Sequence, residues 1–126
     1  MKRIGLTQRV EIKEAYGERR DCLDQNWVNL VFSCGFIPIP LGNVVDDISL
    51  YLDELSLDGI ILTGGNDLAS YGNDSIAEER DAFEFEALNY CHKNDLPVLG
   101  ICRGMQVLNV WNGGELTRID GHAGSN

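Results

Sequence analysis

Short apolar runs alternate along the chain with longer segments in which apolar residues recur every three or four positions. The short runs are typical of buried strands, and the periodic segments are typical of helices with one apolar face. Strands are predicted at residues 3–6, 36–40, 58–63 and 96–101, with a further candidate at 115–119. Two prolines in 36–40 indicate an edge strand or the end of a strand. Helices are predicted at residues 23–34, 45–55, 77–93 and 103–111, while the polar stretch 7–20 is given no element.

Strands that alternate with helices and are almost entirely apolar predict a parallel sheet with helices on both faces. The fold class is therefore α/β, in one domain over residues 1–126. Ligands of such sheets bind beyond the carboxyl ends of the strands. Gly64-Gly65 and Cys102 directly follow two of the predicted strands. We therefore expect a binding site at these two turns.

The acidic composition limits the classes of partner. The formal net charge is -10 and the basic residues are scattered, whereas a nucleic-acid surface needs clustered Lys and Arg. No apolar run is long enough to cross a bilayer. The chain enters its first strand without an apolar leader segment. The sequence predicts a cytoplasmic protein with neither nucleic-acid nor membrane partners.

The four cysteines fall into two groups. Cys22, Cys34 and Cys91 lie in helix-like segments and are interpreted as small hydrophobic residues rather than disulfide partners. Cys102 instead ends a buried strand and begins a helix. It therefore has a setting of its own.

Residues 100–104, Gly-Ile-Cys-Arg-Gly, predict a sharp strand-to-helix turn with Cys102 at its apex. Such a turn lifts a nucleophile above the sheet, and flanking glycines avoid crowding the neighbouring strand and helix. The positive end of the following helix favours the thiolate, which is the attacking form. A buried cysteine that merely ends a strand is the alternative. The surrounding pattern favours the nucleophile.

Several neighbours could complete a site around Cys102. The N–H groups of Arg103 and Gly65 are candidate oxyanion donors, although glycines are also common in ordinary loops. Gln106, one helical turn after the cysteine, either faces the same cleft or is a half-exposed polar residue. The Arg103 guanidinium could bind a substrate carboxylate or form an exposed salt bridge.

Two histidines are available as partners of the thiol. His92 ends a predicted helix, where its charge suits the helix dipole. His122 follows Cys102 in the chain and is a candidate general base, although nothing else in the sequence supports that role.

Two segments resemble a known family. Residues 57–67, Leu-Asp-Gly-Ile-Ile-Leu-Thr-Gly-Gly-Asn-Asp, and 97–106, Pro-Val-Leu-Gly-Ile-Cys-Arg-Gly-Met-Gln, resemble class I glutamine amidotransferase domains. The branch is similar to the γ-glutamyl hydrolases that cleave γ-glutamyl amides such as γ-glutamyl-γ-aminobutyrate. Arg80-Asp81 with Glu84, and Asn109 followed by Gly113-Gly114, are also similar to that branch. Intracellular-protease-like relatives share the turn, but their cysteine is usually followed by His.

The resemblance implies a flavodoxin-like sheet with Cys102 as nucleophile. It implies an oxyanion hole made by the N–H groups of Gly65 and Arg103, and a γ-glutamyl group held in part by Gln106. The implied reaction hydrolyses a small-molecule γ-glutamyl amide, or glutamine, through a γ-glutamyl thioester. It releases glutamate and an amine and uses no metal or organic cofactor. Capsule or nucleotide-sugar biosynthesis is one setting in which short relatives occur.

Members of the family complete the site with a histidine and a glutamate far downstream of the cysteine. Residues 1–126 lack such a segment, so the resemblance predicts an incomplete domain with little turnover by these residues alone. His122 is then part of a loop rather than the catalytic histidine. Three hypotheses stay open: a stand-alone γ-glutamyl amide hydrolase, a glutaminase subunit with a synthetase partner, and an inactive truncated binding module. A homodimer is also left open.

Overall fold

The computed structural model describes residues 1–65 and 78–113. The described elements, in chain order, are β1 (Arg3–Leu6), β2 (Arg9–Lys13), β3 (Glu18–Cys22), α1 (Gln25–Ser33), β4 (Ile37–Pro40), α2 (Ile48–Leu55), β5 (Gly59–Leu62), α3 (Glu78–Lys93), β6 (Val98–Gly100) and α4 (Arg103–Trp111). The predicted strand at residues 115–119 lies outside the described residues.

Strands β4, β1, β5 and β6 form a four-stranded sheet in that order. All three pairings are parallel, with Gly5 opposite both Ile39 and Ile60 in the register. The strand that contains two prolines lies at one edge, as its composition predicts. The predicted α/β class is confirmed, and the order of strands and helices agrees with a flavodoxin-like fold. β5 and β6 are neighbours, so the turns that follow them share one end of the sheet.

The apolar core lies between the sheet and helices α2, α3 and α4. Alternate residues of β5 face this core. Ile60 and Leu62 are therefore almost fully buried. Leu52 of α2, Phe83 of α3 and Val107 of α4 are buried against them. Each of these helices therefore contributes one apolar stripe to a common core, and this packing fixes the two site turns relative to each other.

Two helices begin later than their apolar patterns predict. Asp24 caps α1 by accepting a hydrogen bond from the N–H of Asn26, and Asp47 caps α2 by accepting one from Leu50. A capping carboxylate satisfies an N–H group that has no partner within the helix. The caps therefore set the first helical residues at Gln25 and Ile48 rather than at residues 23 and 45.

The absence of an element in the polar stretch 7–20 was a wrong prediction. Strands β2 and β3 pair in antiparallel fashion as a hairpin, with Glu11 opposite Arg20 and Lys13 opposite Glu18. The pairing depends on the backbone ladder and on facing opposite charges rather than on an apolar run. Of its side chains, Val10 is almost fully buried.

The cysteine interpretation is correct for one of three residues. All four cysteines are free thiols. Cys91 is buried on α3, as expected of a small hydrophobic residue. Cys34, however, is exposed at the end of α1, and Cys22 is half-buried at the end of β3 rather than in a helix. Leu23 precedes the cap of α1, so the helical stripe predicted from residue 23 began too early.

Candidate active site

Cys102 occupies the turn between β6 and α4. Its backbone has φ 54° and ψ -113°, a conformation that residues with a Cβ rarely adopt. Such a conformation costs about 1–3 kcal/mol and persists only where the surrounding structure enforces it. The side chain is exposed, directly before the first residue of α4. The thiol is therefore held outside the apolar core on a strained bend, as the nucleophile hypothesis requires.

The glycines on either side of this turn allow close packing. A Cβ at Gly100 would lie 2.6 Å from the carbonyl oxygen of Gly104 and from a methyl group of Leu108. A Cβ at Gly104 would lie 2.2 Å from the carbonyl oxygen of Leu62. Both distances are far inside van der Waals contact. The glycines therefore let the first turn of α4 rest directly on the ends of β5 and β6.

The Gly64-Gly65 turn lies beside the cysteine. A Cβ added at Gly64 would be 3.5 Å from the Cβ of Cys102. Gly65 has φ +87°, a left-handed conformation that glycine adopts without strain. On its other side, Gly65 contacts the side chain of Arg9, which would lie 2.9 Å from an added Cβ. The structure therefore brings the two predicted turns together and places the hairpin beside them.

Arg80 of α3 anchors the Gly64-Gly65 turn through hydrogen bonds to its backbone. Its side chain is fully buried. Nη1 donates to the carbonyl oxygens of Gly64 at 2.9 Å and Gly65 at 2.7 Å, and Nη2 donates to the carbonyl of Thr63 at 2.8 Å. Burial lowers the pKa of Arg80 to about 10, against the opposing effect of Glu84. That value keeps the guanidinium charged at neutral pH.

Thr7 and Thr63 join the ends of β1 and β5. The Thr63 N–H donates to Oγ1 of Thr7 at 3.0 Å, and the Thr63 hydroxyl donates to the Thr7 carbonyl at 2.7 Å. Both residues are buried. These two hydrogen bonds extend the pairing of β1 and β5 up to the residue before Gly64.

Arg103 corrects a prediction. Neither an exposed salt bridge nor an open guanidinium is found, because its side chain is 3% exposed and pairs with Asp81 and Glu84 of α3. Glu84 also accepts from Nε of Arg80 at 3.2 Å. Two guanidinium groups and two carboxylates thus balance one another beneath the turns. The Arg103 N–H remains a candidate oxyanion donor, since the helical ladder does not use the first N–H groups of a helix.

The remaining candidate site residues are Gln106 and the two histidines. Gln106 is half-buried on α4, one turn after Cys102. His92, the one histidine in the described part of the chain, packs edge-on against Trp111 at the far end of α4, so it is remote from the thiol. His122 lies outside the described residues. Among residues 1–65 and 78–113, no three His, Cys, Asp or Glu side chains are grouped as a metal site.

The residues alone did not predict the buried charges of α3. Arg80 and Glu84 are spaced i, i+4 and continue the buried stripe of Ala87, Leu88 and Cys91. The sequence signal that could have predicted their burial is that these charged residues continue the apolar stripe of the helix. Side chains on that face pack against the core. The family resemblance marked these positions without giving them a role.

The sequence comparison decides the family. The family model described as peptidase C26 matches residues 3–122 of the chain. The chain belongs to this family. The predicted membership in the class I glutamine amidotransferase group is thereby confirmed, since peptidase C26 domains are of that kind.

Two relatives illustrate the family. The chain is 34% identical over 125 residues to the γ-glutamyl-CDP-amidate hydrolase of Campylobacter jejuni, covering 96% of this chain and 60% of that protein. It is 32% identical over 111 residues to the γ-glutamyl-γ-aminobutyrate hydrolase of Escherichia coli O157:H7, covering 81% of this chain and 43% of that protein. The chain therefore spans 60% or less of the length of these two relatives. No helix in the described ranges has the length and apolar character needed to span a bilayer.

Proposed function

We propose that this peptidase C26 protein hydrolyses a γ-glutamyl amide and that Cys102 is its nucleophile. The observation that carries the proposal is the exposed thiol on a bend with φ 54°, at the first turn of α4 and against Gly64. Family membership supports the same class of reaction. A cysteine that served only to end a strand would need neither the strained backbone nor the two tightly packed glycines.

In the proposed reaction the Cys102 thiolate attacks the γ-carbonyl carbon, and the C=O π electrons move to the oxygen. The N–H groups of Gly65 and Arg103 stabilise this oxyanion. Collapse of the intermediate breaks the C–N bond, and the leaving nitrogen takes a proton from water. Water then attacks the γ-glutamyl thioester, which releases glutamate and restores the thiol. Gln106 contributes to holding the γ-glutamyl group.

The relatives' names favour two leaving groups. One relative is named for γ-glutamyl-CDP-amidate and the other for γ-glutamyl-γ-aminobutyrate. The first aligns with 96% of this chain, so we expect the nucleotide amidate to be the better substrate. Such a substrate would place the protein in capsule or nucleotide-sugar biosynthesis.

The test measures glutamate release by the full-length protein from glutamine, γ-glutamyl-γ-aminobutyrate and γ-glutamyl-CDP-amidate. Wild type should release glutamate from at least one, and Cys102→Ala should abolish this release. Cys34→Ala is the matched control, because it removes an exposed thiol that lies outside the proposed site. Hydroxylamine should divert the thioester to γ-glutamyl hydroxamate in wild type and Cys34→Ala but not in Cys102→Ala.

Other outcomes would overturn parts of the proposal. A full-length protein that is silent alone and releases ammonia only with a synthetase would be a glutaminase subunit. Failure of diazo-oxo-norleucine, a glutamine analogue, to label Cys102 would contradict both enzymatic readings and favour a binding module.

A further inference from the structure

Three successive backbone carbonyls, those of Thr63, Gly64 and Gly65, converge on the guanidinium of Arg80. Successive carbonyls of an extended strand point to opposite sides, so this convergence requires a different backbone. The φ of +87° at Gly65 rotates the peptide that follows it, and both glycine oxygens then reach the same Nη1. Arg80 therefore selects one conformation of the turn.

The orientation of the carbonyls fixes that of the N–H groups. No peptide bond in the described residues is cis, and in a trans peptide the C=O and the following N–H point in opposite directions. Since the Thr63 and Gly64 carbonyls face Arg80, the N–H groups of Gly64 and Gly65 face away from it. Backbone N–H groups on one side of a turn form a concavity that attracts anions.

A second chain of contacts links the turn to the cysteine bend. One oxygen of Glu84 accepts from Nε of Arg80, and the other accepts from Nη1 of Arg103. Arg103 directly follows Cys102 and begins α4. All three charged side chains are almost fully buried. Displacement of the Gly64-Gly65 turn is therefore coupled, through one carboxylate, to the residue that bears the second oxyanion donor.

We propose that Arg80 and Glu84 are positioning residues that hold the N–H groups of Gly65 and Arg103 in register as one oxyanion hole. This inference rests on the proposed function, since it assigns those residues a role in acyl transfer to Cys102. Neither side chain touches the substrate. Arg80 acts through the turn and Glu84 acts through Arg103.

The test compares Arg80→Lys with wild type in the full-length protein. Lysine keeps the charge but lacks the planar fork of donors that spans three carbonyls. With γ-glutamyl-p-nitroanilide as probe, kcat should fall by about 10²–10³-fold, as when one oxyanion donor is lost. KM should change by less than about threefold, because the interaction strengthens in the transition state.

Two covalent probes separate positioning from general damage. Alkylation of Cys102 by iodoacetamide creates no oxyanion, so its rate should be unchanged in Arg80→Lys. Labelling by diazo-oxo-norleucine forms a carbon–sulfur bond as dinitrogen leaves and the diazo carbon takes a proton. The ketone of this probe sits where the amide carbonyl would bind, so its rate should fall with kcat. A parallel fall of both rates would overturn the proposal.

Two control variants account for stability and for the substitution itself. Arg19→Lys makes the same change at a partly exposed arginine that pairs with Glu79 on the same helix, and it should leave kcat unchanged. Leu88→Ala removes buried volume from α3 eight residues after Arg80, and it should lower stability but not kcat. If Leu88→Ala also lost kcat, lower stability alone would explain the fall in kcat of Arg80→Lys.

A second variant keeps the proposal testable if Arg80→Lys does not fold. Glu84→Gln retains the shape of the side chain and leaves the Arg80 contacts with the turn intact. Its amide nitrogen replaces one of the two oxygens that accept from Arg80 Nε and Arg103, so it weakens the link between the two arginines. We expect about a tenfold fall in kcat with the same selective loss of diazo-oxo-norleucine labelling. Unchanged kcat would exclude the link through Glu84.

The failure of this inference is distinct from that of the proposed function. A wild-type protein that neither turns over a γ-glutamyl amide nor takes diazo-oxo-norleucine would refute the function. The amide NMR resonances of Gly64 and Gly65 then still report the orientation of the turn. Resonances that stay in place in Arg80→Lys would overturn the positioning role in either case.

Discussion

Gly104 rests directly on the backbone of Leu62, so that a Cβ on Gly104 would fall 2.2 Å from the Leu62 carbonyl oxygen. The same carbonyl accepts a hydrogen bond from the N–H of Ile101 at 2.9 Å. The end of β5 therefore contacts both sides of the cysteine bend. This double contact sets the height of Cys102 above the sheet and its proximity to the Gly64-Gly65 turn.

Gly104→Ala should consequently be one of the most damaging small substitutions in the chain. The added methyl group meets backbone rather than a flexible side chain, so α4 must move away from β5. We expect stability to fall by about 1–3 kcal/mol, as for overpacked cores, and proposed turnover to be lost in the folded fraction. Urea denaturation and the glutamate-release assay measure the two effects.

Gly42→Ala is the matched control. An added Cβ there meets nothing closer than 3.9 Å, and its φ lies outside the left-handed region. Its stability and activity should stay near those of wild type. If the two alanine variants behaved alike, the contact with Leu62 would not determine the bend.

The sequence predicted those parts of the molecule in which local pattern and tertiary environment agree. The apolar run that became β5 is buried in the sheet. The run that became β6 forms a strand as predicted but is not buried, because Leu99 is 54% exposed. The Gly-x-Cys-x-Gly spacing predicts the sharp bend at Cys102 from neighbouring residues alone. The prolines of β4 predicted an edge position or a strand end, and β4 lies at the edge. In each case the residues of one short segment determine its local structure without a distant partner.

The hairpin was missed because its two strands lack an apolar run, while its docking and the buried charges depend on partners far away in sequence. β2 and β3 contain few apolar residues, and they dock through Arg19 onto Glu79 and through Asp21, which accepts from Asn43. The Arg103 guanidinium follows an exposed cysteine, yet it is buried because α3 supplies two carboxylates. Neither outcome can be inferred from neighbouring residues alone.

Three of the thiols, those of Cys34, Cys91 and Cys102, should differ in their reactivity toward iodoacetamide at pH 8. Cys102 and Cys34 are exposed and should be alkylated in the native protein. Burial raises the pKa of Cys91 to about 11, so only about one molecule in a thousand carries its thiolate at pH 8. Mass mapping should find Cys91 modified only after denaturation. Native labelling of Cys91 at the rate of Cys34 would contradict its burial in the core.

The contact between the hairpin and α3 should depend on pH. Arg19 holds the pKa of Glu79 below its ordinary value of 4.5. Because the folded pKa is depressed, the stabilisation is present above about pH 4.5 and is lost as the pH falls through the lower folded value. Glu79→Gln should lower the free energy of unfolding by at most about 1 kcal/mol at pH 7, since the pair is partly exposed.

Urea denaturation at pH 7 and pH 3 checks this dependence. The difference between wild type and Glu79→Gln should shrink at the lower pH. Glu18→Gln is the control, because Glu18 pairs with Arg20 inside the same strand and does not tie the hairpin to α3. A difference that persists undiminished at pH 3 would mean that Glu79 stabilises the fold by something other than its charge.

Gly65→Ala should show how closely the hairpin packs against the Gly64-Gly65 turn. Alanine is strained at φ +87°, by about 1–2 kcal/mol, and its Cβ would also lie 2.9 Å from Cδ and 3.1 Å from Cβ of Arg9. Arg9→Ala removes the nearer contact but neither the Cβ contact nor the backbone strain. The double variant should therefore be less destabilised than the sum of the single variants, by about 0.5–1 kcal/mol in a double-mutant cycle. Additive values from urea denaturation would show that Arg9 moves aside freely, and the hairpin would then have no fixed position against the Gly64-Gly65 turn.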